Sequence, residues 1–294
     1  MDREAAARAP VTHATAEAPR RSIARVDVLG VGISAIDPDD ALAEITRWIT
    51  DGRQRYVCVT GVHGVMEAQR DPELLRIHND SGLTTPDGMP MVWAAHAAGA
   101  ANVQRVYGPD LMLAVCARAA ERGWGCYLYG SSDDVLERLR DNLCGRFPGL
   151  RIVGAHSPPF RELTPDEDEA VVRDIDASGA QIVWVGLSTP KQERWMAAHT
   201  GRVNAPVLIG VGAAFDIHAG CARQAPRWMQ RSGLEWLFRL VSEPRRLGRR
   251  YGVIVPRFLV AIARRRPRIR AASEELEPRV LAPERRRRPG YGCP

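Results

Sequence analysis

The sequence predicts an α/β fold, a doubly wound and mostly parallel sheet with a basic, amphipathic helical appendage at its C-terminal end. Three observations predict it. Between about residues 25 and 215, short β-branched runs alternate with stretches of helical periodicity. Most of those runs are apolar throughout rather than alternating, the signature of strands buried on both faces. And residues 245–294 hold 15 arginines and four glutamates, a net +11, whereas the 244 residues before them sum to −5 against +6 for the whole chain.

The elements follow in order. Val26 to Ile33 reads as one strand, and Asp37-Pro38 as N-cap and first residue of a helix reaching about Trp48. Further strands are expected at Tyr56–Thr60, Gly125–Gly130, Leu150–Gly154, Gln181–Gly186 and Pro206–Val211. Helices are expected at Asp110–Arg122, Ser132–Cys144, Thr164–Ala177 and Pro190–His199, with Thr164 and Glu167 at capping-box spacing. Such alternation argues for a Rossmann-like sheet whose ligands bind at the carboxyl ends of the strands. Four regions result: a disordered lead over 1–24, the α/β core over 25–232, the appendage over 233–270 and a disordered tail over 271–294.

Composition excludes several classes. The most apolar stretch, Val253 to Ala263, is about half the roughly 20 residues needed to cross a bilayer and contains Pro256 and Arg257. It suits lying on an anionic surface, not spanning it. Residues 1–22 have no apolar run and so do not read as a signal peptide, which places the protein in the cytoplasm. The six cysteines form no CxxC pair and sit beside no histidine at zinc spacing, so they read as reduced, buried small hydrophobes.

Several predicted strand ends carry polar or glycine residues. Gly130-Ser131-Ser132 joins a strand to a helix, where backbone N–H groups and the helix dipole would hold a phosphate. Gly186-Leu-Ser-Thr-Pro-Lys-Gln-Glu193 presents a hydroxyl, the chain's single lysine, an amide and a carboxylate in one turn. Thr85-Pro-Asp-Gly88 sets a carboxylate on a tight turn. The Asp-x-Asp triplets that would hold a diphosphate-bridging metal occur at Asp37-Pro-Asp39, Asp166-Glu-Asp168 and Asp174-Ile-Asp176. Each falls at the start or on the polar face of a predicted helix, where acids are expected anyway, so no metal and no cofactor is assigned.

Five blocks in order, Thr85-Pro-Asp-Gly-Met-Pro90, Arg105-Val-Tyr-Gly-Pro-Asp-Leu-Met112, Gly186–Glu193, Gly210-Val-Gly-Ala-Ala-Phe-Asp216 and Glu235-Trp-Leu-Phe-Arg-Leu-Val-Ser-Glu-Pro244, resemble the WecG/TagA/CpsF glycosyltransferase family over about residues 25–250. The resemblance implies an inverting, metal-independent transfer of a sugar from a UDP-sugar to a polyprenyl-diphosphate-linked saccharide, by a peripheral protein on the inner face of the cell membrane. Asp87 matches the carboxylate proposed as general base. The family's Thr-x-Asn strand end matches at Thr60, with Gly61 in the asparagine's place and Thr60 or His63 as candidates for its role. Arg239, Arg246 and Arg249 match the arginines that meet the diphosphate charge from an appendage closing over the site, while Lys191 and Gln192 would contact the donor and Arg105 and Asp216 shape the pocket. Arginine suits this because its planar fork fits phosphate oxygens.

Two other classes are weighed against this. A nucleic-acid-binding protein would use the arginine-rich tail and the pI near 9.3. The body is acidic, however, and no recognition motif appears, so no nucleic acid is expected. A non-catalytic membrane scaffold would explain the missing asparagine but not the retained Asp87, Lys191, Gln192 and arginines. The sequence leaves open the donor sugar, among UDP-linked N-acetylmannosamine, its uronic acid, glucuronic acid and glucose, and leaves open a homo-oligomer that covers the apolar tail.

Overall fold

The computed structural model describes residues 23–242 and 244–270. The expected tail over 271–294 and all but two residues of the expected lead lie outside them. Arg25–Val28 (β1) and Val31–Ser34 (β2), expected as one strand, form an antiparallel hairpin instead. Leu29 and Gly30 both take positive φ, 54° and 94°, and the Asp27 carboxylate accepts the Gly30 N–H at 2.6 Å. Two consecutive left-handed residues make the turn that matches strand twist. Only one of them is a glycine, so the apolar pattern read straight through.

Helix α1 (Pro38–Asp51) opens on an Asp37–Asp40 capping box. There follow β3 (Arg55–Thr60), α2 (Val62–Ala68), α3 (Pro72–Asp80), β4 (Leu83–Pro86), α4 (Met89–Ala97), α5 (Gly108–Arg122), β5 (Gly125–Gly130) and α6 (Asp133–Arg146). Next come β6 (Arg151–His156), α7 (Pro165–Ser178), β7 (Ile182–Gly186), α8 (Lys191–His199), β8 (Val207–Gly210) and α9 (Ala214–His218). The chain then runs through α10 (Arg227–Arg231), α11 (Glu235–Ser242), α12 (Pro244–Arg264) and β9 (Arg268–Arg270).

Six strands pair in parallel in the order β4-β3-β8-β7-β5-β6. Alternate residues of one strand enter cores on opposite faces, as a two-residue period requires. Val57, Leu128, Trp184 and Ile209 join the cluster under α1, α5 and α6, whereas Cys58, Tyr127, Val183 and Leu208 join the one under α7 and α8. All the strands point one way, so Thr60, Pro86, Gly186 and Gly210 open on a common edge. There a Cβ on Gly130 would lie 2.7 Å from the Gly186 backbone, so no side chain fits at the end of β5 beside β7.

A third core sits beside the sheet. It gathers Val26, Val28, Val31 and Ile33 of the hairpin with Val65, Leu74 and Met91, and Phe258 of α12 is buried in it. Strand β9 pairs antiparallel with β1, and Arg265 and Arg270 both reach the Asp27 carboxylate, at 3.2 and 2.6 Å. The C-terminal helix is therefore stitched to the body at its far end. Within the appendage expected from sequence, Phe258 is buried in the third core, while α11 has no buried residue. Among the described residues no helix is long and apolar enough to cross a membrane.

Candidate active site

Strand β4 ends at Pro86, and the next residue, Asp87, donates its backbone N–H to the Thr60 carbonyl across the sheet edge at 3.0 Å. Gly88 then turns the chain into α4 at φ 88°, a conformation that favours glycine. The Asp87 carboxylate is thus carried by two strand ends rather than a free loop. Its Oδ1 is buried and accepts no hydrogen bond, and the nearest cation, Arg105 Nη2, stands 3.7 Å away. At that distance the attraction is electrostatic rather than a hydrogen bond. Burial pushes the Asp87 carboxyl up to about 6, with Glu235 adding to the rise and Arg105 and Arg239 opposing it.

Arg105 lies between α4 and α5, its guanidinium 4.0 Å over the Tyr107 ring. One amino group makes a close ion pair with Glu235 and the other donates to Gln230 Oε1 at 3.4 Å. Arg239, one helical turn along α11 from Glu235, pairs with its other oxygen at 3.2 Å. Burial is the largest influence on Arg239 and works against its charge, but Glu235, Tyr107 and Asp87 together outweigh it and raise its proton affinity. Asp87, Arg105, Arg239 and Glu235 all line one cavity of about 1110 Å³. The same cavity is lined by the apolar Trp93 and Ala97 of α4 and Ile254, Phe258 and Ile262 of α12, with Arg266 beyond the end of that helix.

On the opposite wall Gln192, almost fully buried, donates Nε2 to Glu193 Oε1 at 3.0 Å, and Thr189 donates to the same oxygen at 2.9 Å. Burial raises the Glu193 carboxyl, and its other oxygen has no hydrogen-bond partner, nor does Gln192 Oε1. Ser188, Thr189 and Gln192 line the cavity, so this turn presents an amide and a hydroxyl to it.

Of the residues expected from sequence, the structure brings Asp87, Arg105, Arg239 and Gln192 together. Thr60 supports Asp87 through its backbone, while its hydroxyl stands 3.4 Å from His78 Nδ1 beneath the sheet edge. Burial, helped by Arg25, lowers that imidazole to about 4. Lys191 is exposed at the start of α8 and, like Gly130, Ser131 and Asp216, lies off the cavity wall. Ser131 accepts from the Ser157 hydroxyl at 2.8 Å through its carbonyl. Arg246 and Arg249 fall on α12, and their side chains lie outside the described residues.

Gly61 admits no side chain while Asp87 stays in place, because a Cβ there would lie 2.9 Å from the Asp87 carbonyl oxygen. Val62 and His63 instead carry that wall, with His63 3.8 Å from Glu67. Most carboxylates of the three acidic triplets have structural partners: Asp37 caps α1, Asp168 meets His199 and Arg202, Asp174 accepts from Tyr127, and Asp176 accepts the Asn204 N–H. Sequence reasoning assigned no role to Glu235, Tyr107, Gln230 or Trp93. Glu235 stood in a matched block, and only its position between two arginines singles it out.

Fold and site together describe an α/β group-transfer enzyme, with a carboxylate of raised proton affinity beside two cations at the carboxyl edge of a parallel sheet. The sequence model of the glycosyl transferase WecG/TagA/CpsF family matches residues 26–272, and the chain belongs to that family. It is accordingly a glycosyltransferase, of a kind that serves cell-surface polysaccharide synthesis.

Proposed function

We propose that the protein transfers a sugar from a UDP-sugar to a polyprenyl-diphosphate-linked saccharide at the inner membrane face, with inversion and without a metal. The observation that carries this reading is the mixed, cationic and apolar, lining of one cavity. A transfer between two diphosphate-bearing substrates, one of them with an isoprenoid tail, needs cations and apolar wall together, and one continuous space is lined by Arg105, Arg239 and Arg266 and by apolar side chains. The acceptor hydroxyl would attack the anomeric carbon while its proton passes to the Asp87 carboxylate. The bond from that carbon to the β-phosphate oxygen breaks, and UDP leaves with the electron pair. Arg105 and Arg239 face the charge that develops, with Arg246 and Arg249 proposed beside them.

Exposed apolar side chains support the membrane part. Trp93, Trp228, Trp236, Leu237, Val241, Val253, Leu259 and Val260, all on α4 and α10–α12, make up most of the large exposed hydrophobics among the described residues. They belong to the same helices that contribute to the cavity lining. With basic residues worth about 1 kcal/mol each near an anionic leaflet, reversible peripheral attachment follows.

A UDP-release assay over a panel of UDP-sugars in EDTA, with and without a polyprenyl-diphosphate-linked acceptor, tests the reading. Acceptor-dependent release with one donor is expected and would name the sugar. No release from any donor would sink it and leave the scaffold or nucleic-acid readings to be tried.

A further inference from the structure

Glu235 is a single carboxylate shared by two guanidinium groups that reach it from different parts of the chain. Arg105 approaches one oxygen from the segment before α5 and Arg239 the other from the next turn of α11. Glu235 and Arg105 side chains are only 16% and 12% exposed, so this pair is shielded from bulk solvent and its charges interact strongly, while Arg239, 37% exposed, closes the cluster on its outer side. The same three side chains line the cavity beside Asp87. With Asp87 included, two cations face two anions.

We propose that Glu235 is the resident counter-anion of this site: it holds Arg105 and Arg239 apart from Asp87, and an incoming diphosphate takes over at least one of the two arginines from it. The proposal rests on the transferase reading above. Two consequences follow from the geometry. First, an anion entering the cavity competes with Glu235 and is repelled by it, so the resting site binds diphosphate less tightly than its arginines alone would. Second, the close pair with Glu235 draws on the amino group of Arg105 that stands 3.7 Å from Asp87. Without Glu235, Arg105 is released towards Asp87, and a base in close contact with a guanidinium is a weaker one. The charged groups acting on Asp87 are Arg105 before α5 and Glu235 and Arg239 on α11, with Tyr107 at the start of α5 and His63 on α2 in the same cavity wall.

The test uses the full chain and two readouts. Calorimetric titration with inorganic pyrophosphate compares wild type with Glu235→Gln, which keeps the shape and removes the charge. Binding should tighten about three- to tenfold in the variant, the scale on which removing one repulsive charge acts. In the transfer assay kcat should fall and the acid limb of the pH profile should move to lower pH, which loss of a mere strut between α11 and the body would not do. Unchanged or weaker pyrophosphate binding would overturn the proposal and leave Glu235 as such a strut. Should Glu235→Gln fail to fold, Glu235→Asp, charged but too short to bridge both arginines, should still tighten pyrophosphate binding about twofold, and no gain there overturns the proposal equally. Wild type silent with every UDP-sugar would count against the transferase reading, while the pyrophosphate titration would still decide the role of Glu235.

Discussion

Asp87 and Arg105 face each other at 3.7 Å without a hydrogen bond, close enough for the cation to temper the carboxylate and too far to tie up its lone pairs. Burial alone would raise this carboxyl, and the opposing arginines leave it at about 6. That value suits a general base at neutral pH, ionised yet with appreciable proton affinity. Asp87→Asn should lower turnover by about 10² or more while UDP affinity, measured by calorimetry, stays nearly intact. In wild type the rate should fall as pH drops through about 6, because the base is then protonated. A flat profile down to pH 5 would remove Asp87 from the role.

Gly61 leaves no room for a side chain while Asp87 stays where it is. Its missing Cβ leaves room for the Asp87 carbonyl oxygen, which a methyl group would meet at 2.9 Å. Gly61→Ala should destabilise by about 1–3 kcal/mol, as overpacking does, and displace the turn that carries the carboxylate. Turnover should drop severalfold more than UDP affinity. Melting temperature and activity both equal to wild type would show that the turn yields without consequence.

Phe258 makes the C-terminal helix a structural layer. It is buried against the core built on the hairpin and α2, so Phe258→Ala should cost about 3–5 kcal/mol. Ending the chain at Ser242 removes this side chain and β9 together, and thermal melting should show a large loss. A truncated chain that melts like the full one would mean that α12 contributes nothing to stability.

Asp27 links the hairpin to the C-terminal end. Burial favours its neutral form, but the hydrogen bonds from Arg270 and the Gly30 N–H, together with the charges of Arg270 and Arg265, outweigh it and hold the carboxyl below its ordinary value. A depressed value contributes stability that is present above the unfolded pKa of about 3.9 and is lost as pH falls through the folded one. Asp27→Asn should therefore lower stability by about 1–2 kcal/mol at pH 7 and make little difference near pH 2. Denaturant midpoints at the two pH values measure this; an equal gap at both would exclude the charge as the cause.

Val253 and Val260 project from α12, half exposed, and do not line the cavity. Replacing both by Asp should reduce sedimentation with anionic vesicles severalfold while the melting temperature is kept. Unchanged sedimentation would show that this face does not meet the membrane.

By itself the sequence determined five of the six parallel strands, the five helices α1, α5, α6, α7 and α8, and the family, while β4 and the helices α2, α3 and α4 around it went unread. Apolar strand runs, an Asp37-Pro38 helix start and a Thr164–Glu167 capping box are local chemistry, readable wherever neighbours in sequence decide structure. Thr85-Pro-Asp-Gly88 was legible locally only as a tight turn; the roles expected of Asp87 and Arg239 came from the family resemblance. The tertiary structure alone decided the rest. The hairpin that splits Val26 to Ile33 is held in part by Asn79, whose side chain accepts the Gly32 N–H and donates to the Gly30 carbonyl from 49 residues away in sequence. That Glu235 would stand between Arg105 and Arg239, 130 residues separating it from the first, is a matter of which surfaces pack together. So is the route of α12, returned to β1 by three residues of β9. No window of the chain contains both partners of such contacts, because long-range pairing is chosen by burial and charge over the whole fold rather than by the residues next in line.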